Sequence, residues 1–300
     1  MKTIEKNYTY DEIYMGMLEL SQRYPLFTTF RIIGNSHDER QIPMLEIGNG
    51  KKGLFCVTGM TGQEWKTVEF VFQLLGEYCS YYEKNWILNE IYQVRELLDK
   101  IRLCVIPLVN PDGYEIVGRG YLSIRNPIYR QMLRMQEIPS EEYQNNARNV
   151  WLDTDFPLNT AFDAGNASLI SLENETRALI HIFTEYESVG LLKFGQAVGN
   201  ITCYKYGYTM NLIKEAHIVR HLKKRTKYHL EMKCVPERIK TPLCGNCAQF
   251  YTKETGNPSF RIEMPFYIEN MSDDKETAEK ITDCCYDNLR TLPLEYIFAI

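Results

Sequence analysis

Two short runs constrain the fold of this chain most: LFCV at 54–57 and LCVI at 103–106. Each is apolar without the alternation of a half-exposed strand, so each is expected to be buried on both faces. A strand covered on both sides requires helices above and below it. The chain supplies helical patterns on either side of these runs, at about 10–24, 64–82, 87–99, 173–187, 209–223 and 273–292. The first is opened by a capping box, Thr9 to Glu12. Further strand-like runs are FTTFRII, IPMLEI, LLKFGQAV, ITCYKY and PSFRIEMP. Strands alternating with helices predict an α/β fold with a mixed, mostly parallel central sheet and helices on both faces. No repeat or Pro/Gly/Ser-rich linker divides the 300 residues, so a single domain over 1–300 is expected. Residues 115–150 are the least regular stretch and read as an insertion between core elements.

Charge and composition remove several function classes. A net charge of -5 lacks the footprint of a general nucleic-acid binder. No apolar run approaches the roughly 18 residues of a membrane span, so no membrane partner is expected. The opening MKTIEKNYTYDEI has no apolar signal region, and the nine cysteines are an odd count scattered through apolar segments. Reduced thiols and a cytoplasmic location are the resulting expectation.

In layered α/β sheets, sites gather at the carboxyl ends of the strands. Three such ends carry informative residues: Gly59 to Glu64, Phe194 to Gly199, and Arg261 to Pro265. Gly59-Met60-Thr61-Gly62-Gln63-Glu64-Trp65 follows one buried strand, and Asn110-Pro111-Asp112-Gly113-Tyr114 follows the second. NARNVWLDTDFP at 146–157 and FRIEMP at 260–265 complete the set. In that order and spacing, the set resembles the zinc carboxypeptidase family, the carboxypeptidase A-like metallopeptidases, in a bacterial flavour. The Asn-Pro-Asp-Gly-Tyr match is the strongest, and the resemblance covers most of the chain.

The resemblance implies a site of two histidines and one glutamate around zinc, with an open position for water. It also implies a general-base glutamate, an oxyanion arginine and an Asn-Arg clamp for the substrate's terminal carboxylate. Carried over residue by residue, Glu64 keeps the metal-ligand carboxylate and Glu263 keeps the general-base position. The two ligand histidines fall on Thr61 and Gln196, and the clamp falls on Asp153 and Thr154. A substrate-covering tyrosine falls near Thr241. For the oxyanion arginine, Arg125 fits one spacing and Gln144 another, and Arg148 lies close by. A hydroxyl and an amide are weak ligands for zinc. No cofactor is therefore expected, with zinc as the alternative if other residues serve as ligands.

Other residues that invite chemistry have plainer readings. His217 and His221 stand four apart on a helical pattern, but the glutamate of a His-Glu-x-x-His motif is absent. A solvated basic face explains them better. Cys244-x-x-Cys247 has no second pair to complete a zinc ribbon, and adjacent Cys284 and Cys285 read as core packing. Glu64 and Glu263 are either a live acid pair or vestiges held by local hydrogen bonds. The expected function is a binding or regulatory module without peptidase activity, taking a peptide, a cell-wall fragment or a protein partner. The alternatives are an active zinc carboxypeptidase or peptidoglycan-peptide peptidase, and a different hydrolase chemistry on the same fold. With the clamp cation lost and Asp153 gained, the cleft is expected to be negative and to disfavour a free carboxylate.

Overall fold

The structure is a computed structural model that describes residues 8–158, 172–197, 200–206, 218–220, 223, 229–235, 244–264 and 289–300. Its centre is an eight-stranded sheet. The strands in chain order are β1 (Thr28–Asn35), β2 (Gln41–Ile47), β3 (Lys52–Val57), β4 (Ile101–Ile106), β5 (Ser188–Gln196), β6 (Asn200–Tyr206), β7 (His229–Val235) and β8 (Ser259–Met264). Across the sheet they run β1-β2-β4-β3-β5-β8-β6-β7. The inner strands β4, β3, β5 and β8 pair in parallel. The β1–β2, β2–β4 and β8–β6 pairs are antiparallel, and the edge pair β6–β7 is parallel. This is the mixed, mostly parallel sheet that the buried runs predict.

The missing alternation in LFCV and LCVI has a direct cause, because each strand buries both of its faces. Leu54, Cys56, Leu103, Val105, Leu192 and Phe194 point into one core. That core packs against α1 (Tyr10–Arg23), α2 (Trp65–Glu83), α3 (Val94–Lys100) and α8 (Leu292–Ala299). Phe55, Val57, Cys104, Ile106 and Leu191 point the other way, against α6 (Asn174–Glu185) and α7 (Cys247–Thr255). Among the described residues the remaining helices, α4 (Pro111–Arg119) and α5 (Pro127–Arg134), build a third small cluster with Ile124 and Tyr143.

The Asn-Pro-Asp-Gly motif is expected to be a turn, but it opens α4. Asn110 is the N-cap and accepts a hydrogen bond from the Gly113 amide, while Pro111 takes the first turn, where a missing N–H costs nothing. Asp112 is fully buried and is held by Ser36 Oγ, the Asp38 amide and Arg40 Nη1. Arg40 in turn pairs with Asp38 at 2.7 Å. The motif thus ties the β1–β2 turn to the end of β4.

Four other local expectations change. The helix expected over 87–99 begins only at Val94, because residues 87–88 and 92–93 form a two-stranded ribbon turned by positive φ at Asn89 and Glu90. The irregular 115–150 stretch contains most of α4 and all of α5, with one short 3-10 turn between them, Tyr121–Ser123, and another after α5, Ser140–Glu142. Cys247, whose Cys-x-x-Cys pattern reads as a loop, instead opens α7, through a capping box from Asn246 to Gln249. β7 escapes the sequence pattern because HLEMKCV lies at the sheet edge with a mostly exposed, charged sequence. The helical patterns over 209–223 and 273–292 fall mainly outside the described residues.

Glu175, in the first turn of α6, is fully buried, and its carboxyl is pushed up to about 8 by burial and then by the charges of Asp112 and Glu173. The folded protein therefore holds it neutral, while the unfolded chain ionises it near its ordinary 4.5. Its contribution is fully present below about pH 4.5 and is lost as pH rises through about 8. Relative to wild type, Glu175→Gln is expected to gain roughly 3–5 kcal/mol between pH 5 and pH 9. Urea unfolding at the two pH values checks this; equal differences at both would refute it.

Candidate functional site at the strand ends

The carboxyl ends of β3, β5 and β8 lie side by side. Val57 pairs with Lys193, Glu263 with Gly195, and Met264 with Gln196. After β3 the chain turns at Gly59, whose φ of 69° lies in the left-handed region that favours glycine. The loop is then clamped from the end of β4. Asn110 N donates to Gly59 O at 2.7 Å, Asn110 Nδ2 donates to Met60 O at 3.2 Å, and Gly62 N donates to Gln144 O at 3.1 Å. A Cβ on Gly62 would stand 2.6 Å from Gly113 O and 2.7 Å from Tyr143 O, so only glycine allows this approach. The loop delivers Thr61 and Glu64 to the mouth of the sheet.

Glu64 caps α2 and is 5% exposed. Its Oε2 accepts from the Met60 amide at 2.9 Å, and its Oε1 accepts from Lys193 Nζ at 2.9 Å. Lys193 comes from the middle of LLKFG and its side chain is only 2% exposed. Burial works to lower its ammonium, but Asp153 and Glu64 overcome that and hold it above the ordinary lysine range. Gly195 leaves the space the pair needs, since a Cβ there would lie 3.1 Å from both Glu64 Oε1 and Lys193 Nζ.

The ionic row continues along the face covered by α7. Phe260, Ile262 and Met264 of β8 point into the opposite core, which leaves Arg261 and Glu263 on the same side as Lys193. Asp153, from the 3-10 turn Leu152–Thr154, lies between the two cations, 3.7 Å from Lys193 Nζ and 3.6 Å from Arg261 Nη1. Arg261 Nε is 3.4 Å from Glu263 Oε1. Asp153 Oδ1, Gln196 Oε1 and Arg261 Nε are buried without hydrogen-bond partners. The row therefore sets three carboxylates, Glu64, Asp153 and Glu263, against two cations, Lys193 and Arg261.

The other expected residues fall as follows. Thr61 is partly exposed, and its carbonyl accepts from Glu64 N at 3.2 Å. Thr154 is exposed and bonds back to Trp151 O. Arg125 is exposed, and its amide caps Asp38 at 2.7 Å. Arg148 pairs with Glu173 at 3.3 Å. Gln144 Nε2 donates to Gln63 Oε1 at 3.3 Å beside the Glu64 loop. Cys244 is exposed and Cys247 buried, and burial followed by Asp153 pushes the Cys247 thiol well above its usual range. Thr241, His217, His221, Cys284 and Cys285 lie outside the described residues.

Lys193 and Arg261 are the site residues that sequence reading overlooked. The signal was present, since each is a charged residue inside an otherwise buried strand run and so requires a partner. Among the described residues, one trio of potential metal ligands gathers within 4.8 Å: His37, Glu173 and Glu175. It lies on the β1–β2 turn and the start of α6, and Asn146 bridges its two carboxylates.

The chain is similar in sequence and in fold to known carboxypeptidases. Human carboxypeptidase D is 24% identical over 222 residues, covering 72% of this chain but only 14% of its own length. Gamma-D-glutamyl-L-diamino acid endopeptidase 1 of Lysinibacillus sphaericus is 28% identical over 116 residues, 39% of this chain and 29% of that protein. The crystal structure of carboxypeptidase A from Helicoverpa armigera superposes with a TM-score of 0.65 at 15% identity, covering 99% of this chain and 75% of that one. The family profile described as zinc carboxypeptidase matches residues 13–265. With the fold, the strand-end loop and this match in agreement, the chain belongs to the zinc carboxypeptidase family.

Proposed function

We propose that this chain is a family member without zinc and without peptidase activity, whose cleft binds a peptide-like ligand. The single observation carrying the reading is the Lys193 ammonium, 2.9 Å from Glu64 Oε1. A metal at Glu64 requires the carboxylate that this ammonium and the Met60 amide already occupy. The remaining donors at the expected positions are a hydroxyl, Thr61, and an amide, Gln196, neither suited to zinc. The residues present therefore do not fit the ion.

An ammonium is not a chemical substitute for the metal. It carries one charge, has no vacant orbital for a carbonyl oxygen, and with all its protons bound offers no lone pair. It satisfies Glu64 electrostatically and leaves water unactivated. Glu263 is still placed to take a proton, but no described group prepares a nucleophile beside it. A non-hydrolytic cleft with intact walls is what these features favour, and a peptide, a cell-wall fragment or a protein segment is the ligand class.

Three outcomes are expected. Protein purified without added zinc holds far less than one zinc per chain by elemental analysis; about one tightly held ion per chain would overturn the reading. Lys193→Met strands buried Glu64 beside Asp153 and costs about 3–5 kcal/mol in urea unfolding, most of it recovered by adding Glu64→Leu. If the double variant is no more stable than Lys193→Met, the pair is not the source of the cost. Thr61→His with Gln196→His is not sufficient for tight zinc binding while Lys193 is present. Adding Lys193→Ala raises zinc affinity by orders of magnitude in calorimetric titration, and equal affinities with and without that third change would show that the ammonium does not exclude the ion.

A further inference from the structure

Of the five charged groups in the strand-end row, two can be reached by a ligand. Lys193 is 2% exposed and hydrogen-bonded to Glu64, and Glu64 and Asp153 are each 7% exposed at the side chain. Arg261 is 31% exposed and Glu263 is 20% exposed. They stand two residues apart on β8 and face the same side of the sheet. The open part of the cleft is therefore dipolar, with one guanidinium beside one carboxylate.

Their mutual contact leaves hydrogen-bonding capacity unused. Charge-assisted N–H···O bonds close to about 2.7–2.9 Å. Arg261 instead stands 3.4 Å from Glu263 and 3.6 Å from Asp153. Its Nε is buried with no hydrogen-bond partner, and so is Asp153 Oδ1. A guanidinium that is 31% exposed and held only by contacts of 3.4 and 3.6 Å keeps donors for a ligand at its exposed end. Of the other arginines considered for the cleft, Arg148 pairs with Glu173, and Arg125 is held at Asp38 by its backbone amide, on the β1–β2 turn side.

The charge balance selects the ligand. A simple anion at Arg261 meets three carboxylates against two cations, and a simple cation at Glu263 meets Arg261 at once. A group carrying both charges satisfies each side, provided its charges are as close together as the pair they meet, 3.4 Å apart. We propose that Arg261 and Glu263 recognise a zwitterionic α-amino acid group, its carboxylate on the guanidinium and its ammonium on Glu263. This deepens the binding-module reading and rests on it. It also departs from the expectation that a free carboxylate is disfavoured, since Arg261 supplies the cation missing at Thr154.

The test uses the full chain and three probes: phenylalanine, phenylalaninamide and N-acetylphenylalanine, measured by ligand-observed NMR and calorimetry at pH 7. Free phenylalanine is expected to bind at least roughly tenfold more tightly than either derivative. Arg261→Gln abolishes its advantage over the amide, and Glu263→Gln abolishes its advantage over the N-acetyl compound. Arg261→Lys, which keeps the charge and the ion-pair network, retains part of the first advantage if the wild-type arginine is an anion anchor. Equal affinity of phenylalanine and either derivative, no detectable binding of phenylalanine, or variants that change nothing would overturn the proposal. Zinc content measured on the same preparation separates the two readings. Absence of binding in zinc-free protein refutes this inference alone, whereas a stoichiometric zinc ion refutes the non-hydrolytic reading whatever binds.

Discussion

The ion pair between Lys193 and Glu64 governs the strand-end site. Both partners are buried, and neither is tolerable alone in that environment. Every neighbour is arranged around the pair. Gly195 leaves room for it, the Met60 amide satisfies the second carboxylate oxygen, and Asp153 shares the ammonium with Glu64 and links it to Arg261. A site designed to hold a doubly charged ion keeps its donors converging on empty space. Here Glu64 Oε1 meets the chain's own ammonium at 2.9 Å, and Asp153 stands 3.7 Å from the same nitrogen.

Much of the fold was legible because burial leaves a plain mark on sequence. LFCV and LCVI lack alternation since helices cover both sides, and Thr9 with Glu12 forms the capping box that the spacing announces. Legibility fails where local pattern and tertiary context diverge. The 87–93 stretch has a helical composition, yet Asn89 and Glu90 adopt left-handed backbone and turn a ribbon. β7 exposes Glu231, Met232, Lys233 and Cys234 in succession and so shows no apolar alternation, because edge pairing with β6 needs only its backbone.

The site was half legible for a related reason. Glu64, Gln196 and Glu263 were located through the family resemblance of the motifs that follow the strands, and the sheet does bring those strand ends together. The charge balance was misjudged because it was drawn from residues at expected positions. Asp153 in isolation suggests a negative cleft, but Lys193 and Arg261 reach it from neighbouring strands that sequence distance separates by 40 and 108 residues. A lysine among LLKFG is itself a statement that a buried anion waits nearby, and only the sheet register says which one.

The glycine at 62 has a longer reach than its size suggests. It is pressed against the carbonyls of Gly113 and Tyr143, and its amide is tied to Gln144, so the loop after β3, the first turn of α4 and the segment at 143–144 meet there backbone to backbone. No charge or nucleophile takes part in that junction. Exchanges among the residues that face the cleft leave this seam untouched, whereas any side chain at 62 presses it apart. The motif that marks the family in this chain is therefore a record of masonry, of how the walls of the cleft are joined.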